Sequence, residues 1–323
     1  MKAAVYYENG APSVFRYEEV PDPVPGPGEM LVSVEVVSIE GGDTLNRLGG
    51  PLVTVPHVVG YQSAGTVLSV DPDVAGFAVG DRVVGIGFHG SHAELRVAHP
   101  LTTWKIPDGL ATELAACVPV AYGTAHDGLF EFGRLGEGET ALIHAGASGV
   151  GLAAIQMAHH AGARVIATAS SDERLERLRE FGLDDGINYR EKDFVVEVRT
   201  LTNLKGADVI LDSVGGENLQ RSLAALAYRG RCVSFGNAGR GGPTKLDTST
   251  LGVSNQSLIG YFLGAELFVG TRAYAMVAKL LEDVAAGDLR VEIDRRFALA
   301  DAEEAHAFIE SRQAFGRVVL LTE

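Results

Sequence analysis

The chain has 323 residues, 46% of them hydrophobic and 21% charged, and a formal net charge of −15. That suits a globular protein of about two domains and speaks against a nucleic acid partner, which clustered Lys and Arg would draw. The only two cysteines, Cys117 and Cys232, sit in apolar surroundings, which excludes a disulfide framework or a four-cysteine zinc lobe.

The opening stretch "MKAAVYYENGAPSVFRYEEV" carries Glu8, Glu18 and Glu19 and lacks a long apolar core, so it is no signal peptide. No run approaches the roughly 18 apolar residues of a membrane span. A cytoplasmic location without a membrane partner is expected. Through the first hundred or so residues, "KAAVYY", "MLVSVEVVSI", "AGTVLSV", "DRVVGIG" and "AELRVAH" read as short strands separated by turn residues. Few helical patterns intervene, so a mainly antiparallel β-domain is expected.

Near residue 120 the character changes to apolar strands alternating with helix-period segments: "TALIHA" then 149–161, "RVIATAS" then 172–181, "DGINY" then 191–201, "DVILDSV" then 216–228, and "RCVSFG". This pattern predicts a parallel, doubly wound sheet. Asp172 is the expected N-cap of "ERLERLREF", and Gly182 its stop. "SLIGYFLG", 257–264, reads as an apolar strand, 267–286 as one long helix, and "RVVLL" as a last strand. The domains expected are 1–120 completed by 265–323, and 121–264.

"HAGASGVG" stands between a strand and a helix inside a βαβ unit, with glycines at Gly146, Gly149 and Gly151. One glycine permits the turn out of the strand, another lets the backbone approach a pyrophosphate, and the third lets helix and strand pack closely. The helix start offers unpaired N–H groups to that pyrophosphate. The second strand ends in Ser170 and Ser171, where an NAD site usually has an acid; Asp172 and Glu173 open the helix, and Arg174 follows. Hydroxyls and a guanidinium suit a 2′-phosphate, although the serines also serve as caps and Arg174 as a solvated helix residue.

With "VPDPVPGPGEMLVSV", "GDRVVG", "HAGASGVGLAAIQMA", "DGINYREKDF", "DVILDSVGG", "GRCVSFGNA" and "ESRQAFGRVVLL", the chain resembles a medium-chain dehydrogenase/reductase of the quinone oxidoreductase (zeta-crystallin-like) branch over nearly its full length. The resemblance implies an α/β fold, a GroES-like β-domain plus a Rossmann doubly wound parallel sheet, with the active site in the cleft between them. It implies NADPH as cofactor. Gly146, Ser148, Gly149, Val150 and Gly151 would lie along the pyrophosphate. Ser170, Ser171, Arg174 and Tyr189 would hold the 2′-phosphate, Thr124 and Asn237 would stand near the nicotinamide, and Arg312 would reach the phosphate end. It also implies a homodimer, paired through the edge strand at 257–264.

Zinc-dependent relatives carry Cys, His and Glu where this chain has Glu40, Tyr61 and Gln62, so no catalytic metal is expected. Glu40 also replaces the branch's usual Asn, and Leu45 a common Tyr. Glu40, Asn46, Tyr61, Gln62, His89 and His92 remain to line the cleft, and the candidate catalytic set is Glu40, Tyr61 and Asn46. Glu40 is read either as a proton donor with a raised pKa or as a carboxylate that is solvated or paired with Arg47. Without a Lewis acid, the expected substrates are quinones or α,β-unsaturated carbonyls, which accept a hydride with help from hydrogen bonds. The alternatives are an enoyl-thioester reductase, which an acidic chain disfavours, and an NADPH-binding protein without turnover.

Overall fold

A computed structural model describes residues 1–242 and 244–322. The chain divides into two compact units, Met1–Val120 with Ala265–Glu323, and Ala121–Gly264.

The middle unit is a sheet of six parallel strands. In chain order these are the first, Thr140–Ile143, the second, Arg164–Ala169, the third, Asp185–Asn188, the fourth, Ala207–Asp212, the fifth, Leu226–Ser234, and the sixth, Ser257–Gly260. Across the sheet they run third, second, first, fourth, fifth, sixth. The order reverses between the first and fourth strands, the switch point at which doubly wound sheets bind ligands. The helices Gly149–His160, Asp172–Leu178, Phe194–Leu201 and Gly216–Ala225 make the crossovers. Leu142, Ile166, Ile187 and Ile210 are fully buried, in one core with Phe194, Val198 and Leu223. These strands are covered on both faces, which is why they read as unbroken apolar runs.

Three local expectations are corrected. Ser171, not Asp172, caps the helix Asp172–Leu178, accepting from the Arg174 N–H at 3.4 Å; a hydroxyl one residue earlier already meets the free N–H groups of the first turn. The helix does close on Gly182, at φ 101°. The strand expected over 257–264 stops at Gly260, and a helix, Leu263–Val269, follows. The long helix expected at 267–286 is thereby two, Leu263–Val269 and Arg272–Ala286, separated at Gly270 and Thr271, where glycine costs a helix interior most short of proline.

In the other unit, the strands Ile293–Ala298, Arg317–Leu321, Met30–Ser38, Gln62–Val70, Arg82–Ile86 and Thr103–Lys105 form one sheet in that order, with Leu95–Ala98 also paired to Met30–Ser38. Only the first two are parallel. Lys2–Tyr6 pairs with Arg16–Glu19 and His57–Val58 in a smaller antiparallel sheet. The strand Arg317–Leu321 lies against Met30–Ser38, so the late segment completes the early one.

The core of this unit encloses two histidines. His92 Nε2 and His306 Nε2 are 3.0 Å apart, and Phe15 packs on both rings. Burial lowers the His92 pKa to about 3 and that of His306 well below its usual value, with nearby Arg96 and Arg47 adding to the effect. His92 was expected to line the cleft; it is fully buried instead. The folded state holds both rings neutral, while unfolded histidine takes up a proton below about pH 6.5. Their contribution is therefore complete above that pH and is lost as pH falls toward the folded-state values. His306→Phe should flatten the decline of unfolding free energy between pH 6.5 and 5 by about 1.4 kcal/mol per pH unit. Urea unfolding of both proteins across this range measures it, and equal slopes would contradict it.

Candidate active site

The glycine loop follows the first strand. Ala145, at φ 51°, makes the turn out of the strand, a role expected of a glycine. Gly146 is needed for packing instead: a Cβ there would stand 2.9 Å from Leu178 Cδ1 and 3.0 Å from Ala167 Cβ. At Gly151 a Cβ would lie 2.4 Å from the Ala145 carbonyl oxygen and 2.6 Å from that of Gly146. Ser148 caps the helix Gly149–His160 by accepting from the Gly151 N–H at 3.0 Å. The loop is thus drawn tightly over the helix start, leaving the first N–H groups of a twelve-residue helix to face outward. Gly151→Ala would push carbonyl oxygens that have nowhere to move. A stability loss of about 1–3 kcal/mol, as for an overpacked core, and weaker dinucleotide binding are expected; thermal melting and a fluorescence titration test both.

The second and third strands are parallel and end together, Ala169 opposite Asn188. Ser170 and Ser171 therefore stand beside Tyr189, whose N–H donates to the Ala169 carbonyl at 3.1 Å. Arg174 is half-buried one turn into the following helix, and Tyr189 is exposed. Asp172, the nearest acid, accepts from the Asn188 amide at 3.3 Å. Thr124 is buried in the helix Pro119–His126. Asn237 follows the fifth strand, its amide donating to the Gly241 carbonyl at 3.1 Å, and lines a depression of about 370 Å³ with Gly215, Gly216 and Ser234. Arg312, at φ 60°, lies in the turn after the helix Ala302–Glu310 of the other unit.

The proposed catalytic residues gather around a helix that the sequence conceals, Gly41–Gly49. It has three glycines, and it buries Asp43, Thr44 and Arg47, the reverse of the apolar face by which such helices are read. Asp43 fixes its start: its carboxylate accepts from the Glu40 N–H at 2.8 Å and the Tyr61 N–H at 3.1 Å. Burial pushes the Asp43 pKa up to about 8, against the pull of those donors. Arg96, also buried, donates to the Tyr61 carbonyl at 2.7 Å. The Tyr61 backbone is thus held from both sides, and its ring covers Gly42, where a Cβ would stand 2.2 Å from Tyr61 Cε2. Tyr61 and Asn46, with Leu45, Leu48 and Gly42, line a depression of about 400 Å³. Burial, then the nearby Asp43 and Glu40 charges, raise the Tyr61 pKa, so its hydroxyl keeps its proton.

Glu40 lies beneath this wall, 5% exposed. Both its carboxylate oxygens face Arg317, with Nη1 3.1 Å from Oε2 and Nη2 in contact with Oε1, and Gln62 Nε2 donates to Oε1 at 2.5 Å. Arg317 Nη2 also donates to Ser38 Oγ at 2.6 Å and the Ile39 carbonyl at 3.0 Å, while Gln62 Oε1 accepts from the Val120 N–H at 3.0 Å. Burial pushes the Glu40 pKa up and the Arg317 guanidinium opposes it. The expected pairing with Arg47 is corrected: Arg47 turns to Glu310 on the helix Ala302–Glu310. His89 is exposed and joins this group only through its backbone carbonyl, which accepts from Arg96 at 3.3 Å. The sequence reading missed Arg317, Arg96 and Asp43. Arg317 had one signal, a charge opening an apolar strand.

This donor set does not suit zinc. Glu40 already faces a guanidinium, Gln62 is a neutral amide, and no group of three His, Cys, Asp or Glu comes together among the described residues. The glycine loop, by contrast, suits a dinucleotide phosphate, because backbone approaches closest there and N–H groups are free.

Residues 26–108 match the alcohol dehydrogenase GroES-like domain and residues 149–283 the zinc-binding dehydrogenase family. A quinone oxidoreductase of Pseudomonas aeruginosa is 36% identical over 318 residues, 97% of either chain. A 2-haloacrylate reductase of a Burkholderia species is 33% identical over 335 residues, 99% of either chain. A mycobacterial protein solved in complex with NADPH has a TM-score of 0.94 at 35% identity, over 99% of this chain and 100% of that one. With two family models matched, relatives above 30% identity over nearly the whole length and a TM-score of 0.94, the chain belongs to the quinone oxidoreductase branch of the medium-chain dehydrogenase/reductase superfamily.

Proposed function

We propose that the protein transfers a hydride from NADPH to a quinone or an α,β-unsaturated carbonyl compound without a catalytic metal. The observation that supports this reading is the joint end of the second and third strands, with Ser170 and Ser171 beside Tyr189, Arg174 in the first turn of the helix that follows and Asp172 turned to Asn188. A 2′-phosphate finds hydroxyl and guanidinium donors there, and the adjacent Asp172 carboxylate is engaged by the Asn188 amide. The relatives named for quinone and haloacrylate reduction support the substrate class.

NADPH, when bound, supplies the hydride. Gly149 and Val150 offer backbone N–H groups to its pyrophosphate, and Gly151, its own N–H held by the Ser148 cap, lies along it where a Cβ would not fit. Ser170, Arg174 and Tyr189 hold the 2′-phosphate. Thr124 and Asn237 position the nicotinamide. In the depression beside Gly42, the Tyr61 hydroxyl and the Asn46 amide donate to the substrate oxygen, which takes on charge as hydride arrives. Tyr61 or water gives the proton. Glu40, committed to Arg317 and Gln62, holds the wall in place.

The test is turnover of NADPH and of NADH with a panel of quinones and enones. Oxidation of NADPH by conjugated acceptors, with NADH at least about tenfold weaker, is the expected result. Tight NADPH binding with no turnover on any acceptor would favour a binding protein without catalysis. We also propose a homodimer paired through the edge strand Ser257–Gly260, whose outer side has no strand neighbour among the described residues. Sedimentation as a monomer at micromolar concentration would overturn it.

A further inference from the structure

Behind the glycine loop lies a chain of buried polar side chains that none of the roles above uses. Asp212, at the end of the fourth strand, accepts from the N–H groups of Val214 and Gly215 at 2.9 and 2.8 Å on Oδ1. Its Oδ2 takes the Asn218 amide at 2.9 Å and the Ser222 hydroxyl at 2.8 Å. Ser222 Oγ is 3.0 Å from His144 Nε2, His144 Nδ1 is 3.2 Å from Thr168 Oγ1, and Thr168 Oγ1 accepts the Ala145 N–H at 3.3 Å. Asp212 and Ser222 are fully buried, Thr168 is 2% and His144 3% exposed.

Donor and acceptor counting leaves one direction. A carboxylate only accepts, so the single Ser222 proton is spent on Asp212, the stronger acceptor over the Asn218 carbonyl also within reach. His144 Nε2 must then carry the proton that Ser222 Oγ accepts. The ring is neutral, because burial lowers its pKa to about 4, with Asp212 and Arg221 the charges that act on it. Nδ1 therefore accepts, and Thr168 is its donor. Thr168 is left with lone pairs for the Ala145 N–H, on the one residue of the loop held at positive φ. The Thr168 carbonyl takes the next N–H, that of Gly146, at 2.9 Å.

We propose that Asp212, Ser222, His144 and Thr168 form a one-way hydrogen-bond relay that positions the glycine loop for NADPH. This rests on the cofactor reading above. The relay anchors the loop to the end of the fourth strand through Ser222 on the helix Gly216–Ala225, His144 just after the first strand and Thr168 on the second, so the phosphate-binding backbone is set before cofactor arrives.

Two measurements test it. In protein with ¹⁵N-labelled histidine, the ring nitrogens of His144 should report the Nε2–H tautomer, unchanged from pH 8 to 5.5; an Nδ1–H tautomer, or titration within that range, overturns the relay without reference to any cofactor. Thr168→Val keeps shape and removes the acceptor of the Ala145 N–H, so the NADPH dissociation constant should rise by about three- to tenfold. Ser222→Ala, on the far side of the imidazole, should raise it also and mix the tautomers. Thr202→Val is the control, since Thr202 Oγ1 accepts the Gly206 N–H at 2.8 Å inside the same unit but away from the loop; it should lower the melting temperature and leave NADPH affinity within about twofold. If wild type binds no NADPH, the cofactor reading fails. If wild type binds and Thr168→Val matches the control, the relay fails alone.

Discussion

Replacing Arg317 by methionine should lower the unfolding free energy by about 3–5 kcal/mol, the cost of leaving one partner of a buried ion pair alone. Glu40 would keep its burial and lose both guanidinium contacts, leaving a carboxylate with neutral donors such as the Gln62 amide. Glu40→Gln should cost a similar amount by stranding Arg317, though Ser38 and Ile39 still accept from it. The double variant Glu40→Met with Arg317→Met should recover much of the loss, since apolar replacement of a whole buried pair is often neutral. Urea unfolding of wild type, Glu40→Met, Arg317→Met and the double variant gives the coupling directly. A loss below about 1 kcal/mol in Arg317→Met, the range of surface pairs, would contradict the burial on which the argument rests. Per folded molecule, Glu40→Gln should change turnover by less than about threefold, roughly 0.7 kcal/mol in the barrier. A much larger fall, with NADPH affinity unchanged, would restore Glu40 as the proton donor.

The second large effect is in the choice of cofactor. Arg174→Ala should weaken NADPH by at least about tenfold, since a charge-assisted contact is worth about 1.5–3 kcal/mol, and should leave NADH nearly unchanged. Ser170→Asp should go further and favour NADH, because a carboxylate at the strand end repels the phosphate and accepts from ribose hydroxyls. Nicotinamide fluorescence titrations with both cofactors decide the matter. Equal weakening of the two by Arg174→Ala would mean that the strand ends do not read the phosphate.

The middle unit was largely legible in the sequence because its information is local. Each strand is an apolar run beside a helix-period segment, and the glycine loop lies within eight residues of the first strand. Errors there are of one or a few residues, as at Ser171 and Asp172, where adjacent side chains both make good caps. The catalytic neighbourhood was less legible for two reasons. The helix Gly41–Gly49 is poor in propensity and buries its polar residues, so no period announces it. Glu40 is answered by a residue 277 positions away, a distance over which sequence pattern carries no information about partners. Arg47, seven positions away, was the nearer candidate and faces Glu310 instead.

The strand Arg317–Leu321, set between Ile293–Ala298 and Met30–Ser38, has a consequence for synthesis. Met30–Ser38 leaves the ribosome before its neighbour does and meets it only after the whole Ala121–Gly264 unit has been made. Until then Glu40 and Ser38 have no guanidinium, and the end of Met30–Ser38 from Val36 onward, beyond the stretch paired with Leu95–Ala98, is an open β-edge. The Ala121–Gly264 unit is continuous in sequence and can complete its sheet while the earlier segment still waits. Nascent chains should therefore acquire protease resistance out of order, the middle before the beginning, and a stall shortly before residue 317 should yield chains whose first hundred residues are the most exposed to chaperones and to aggregation.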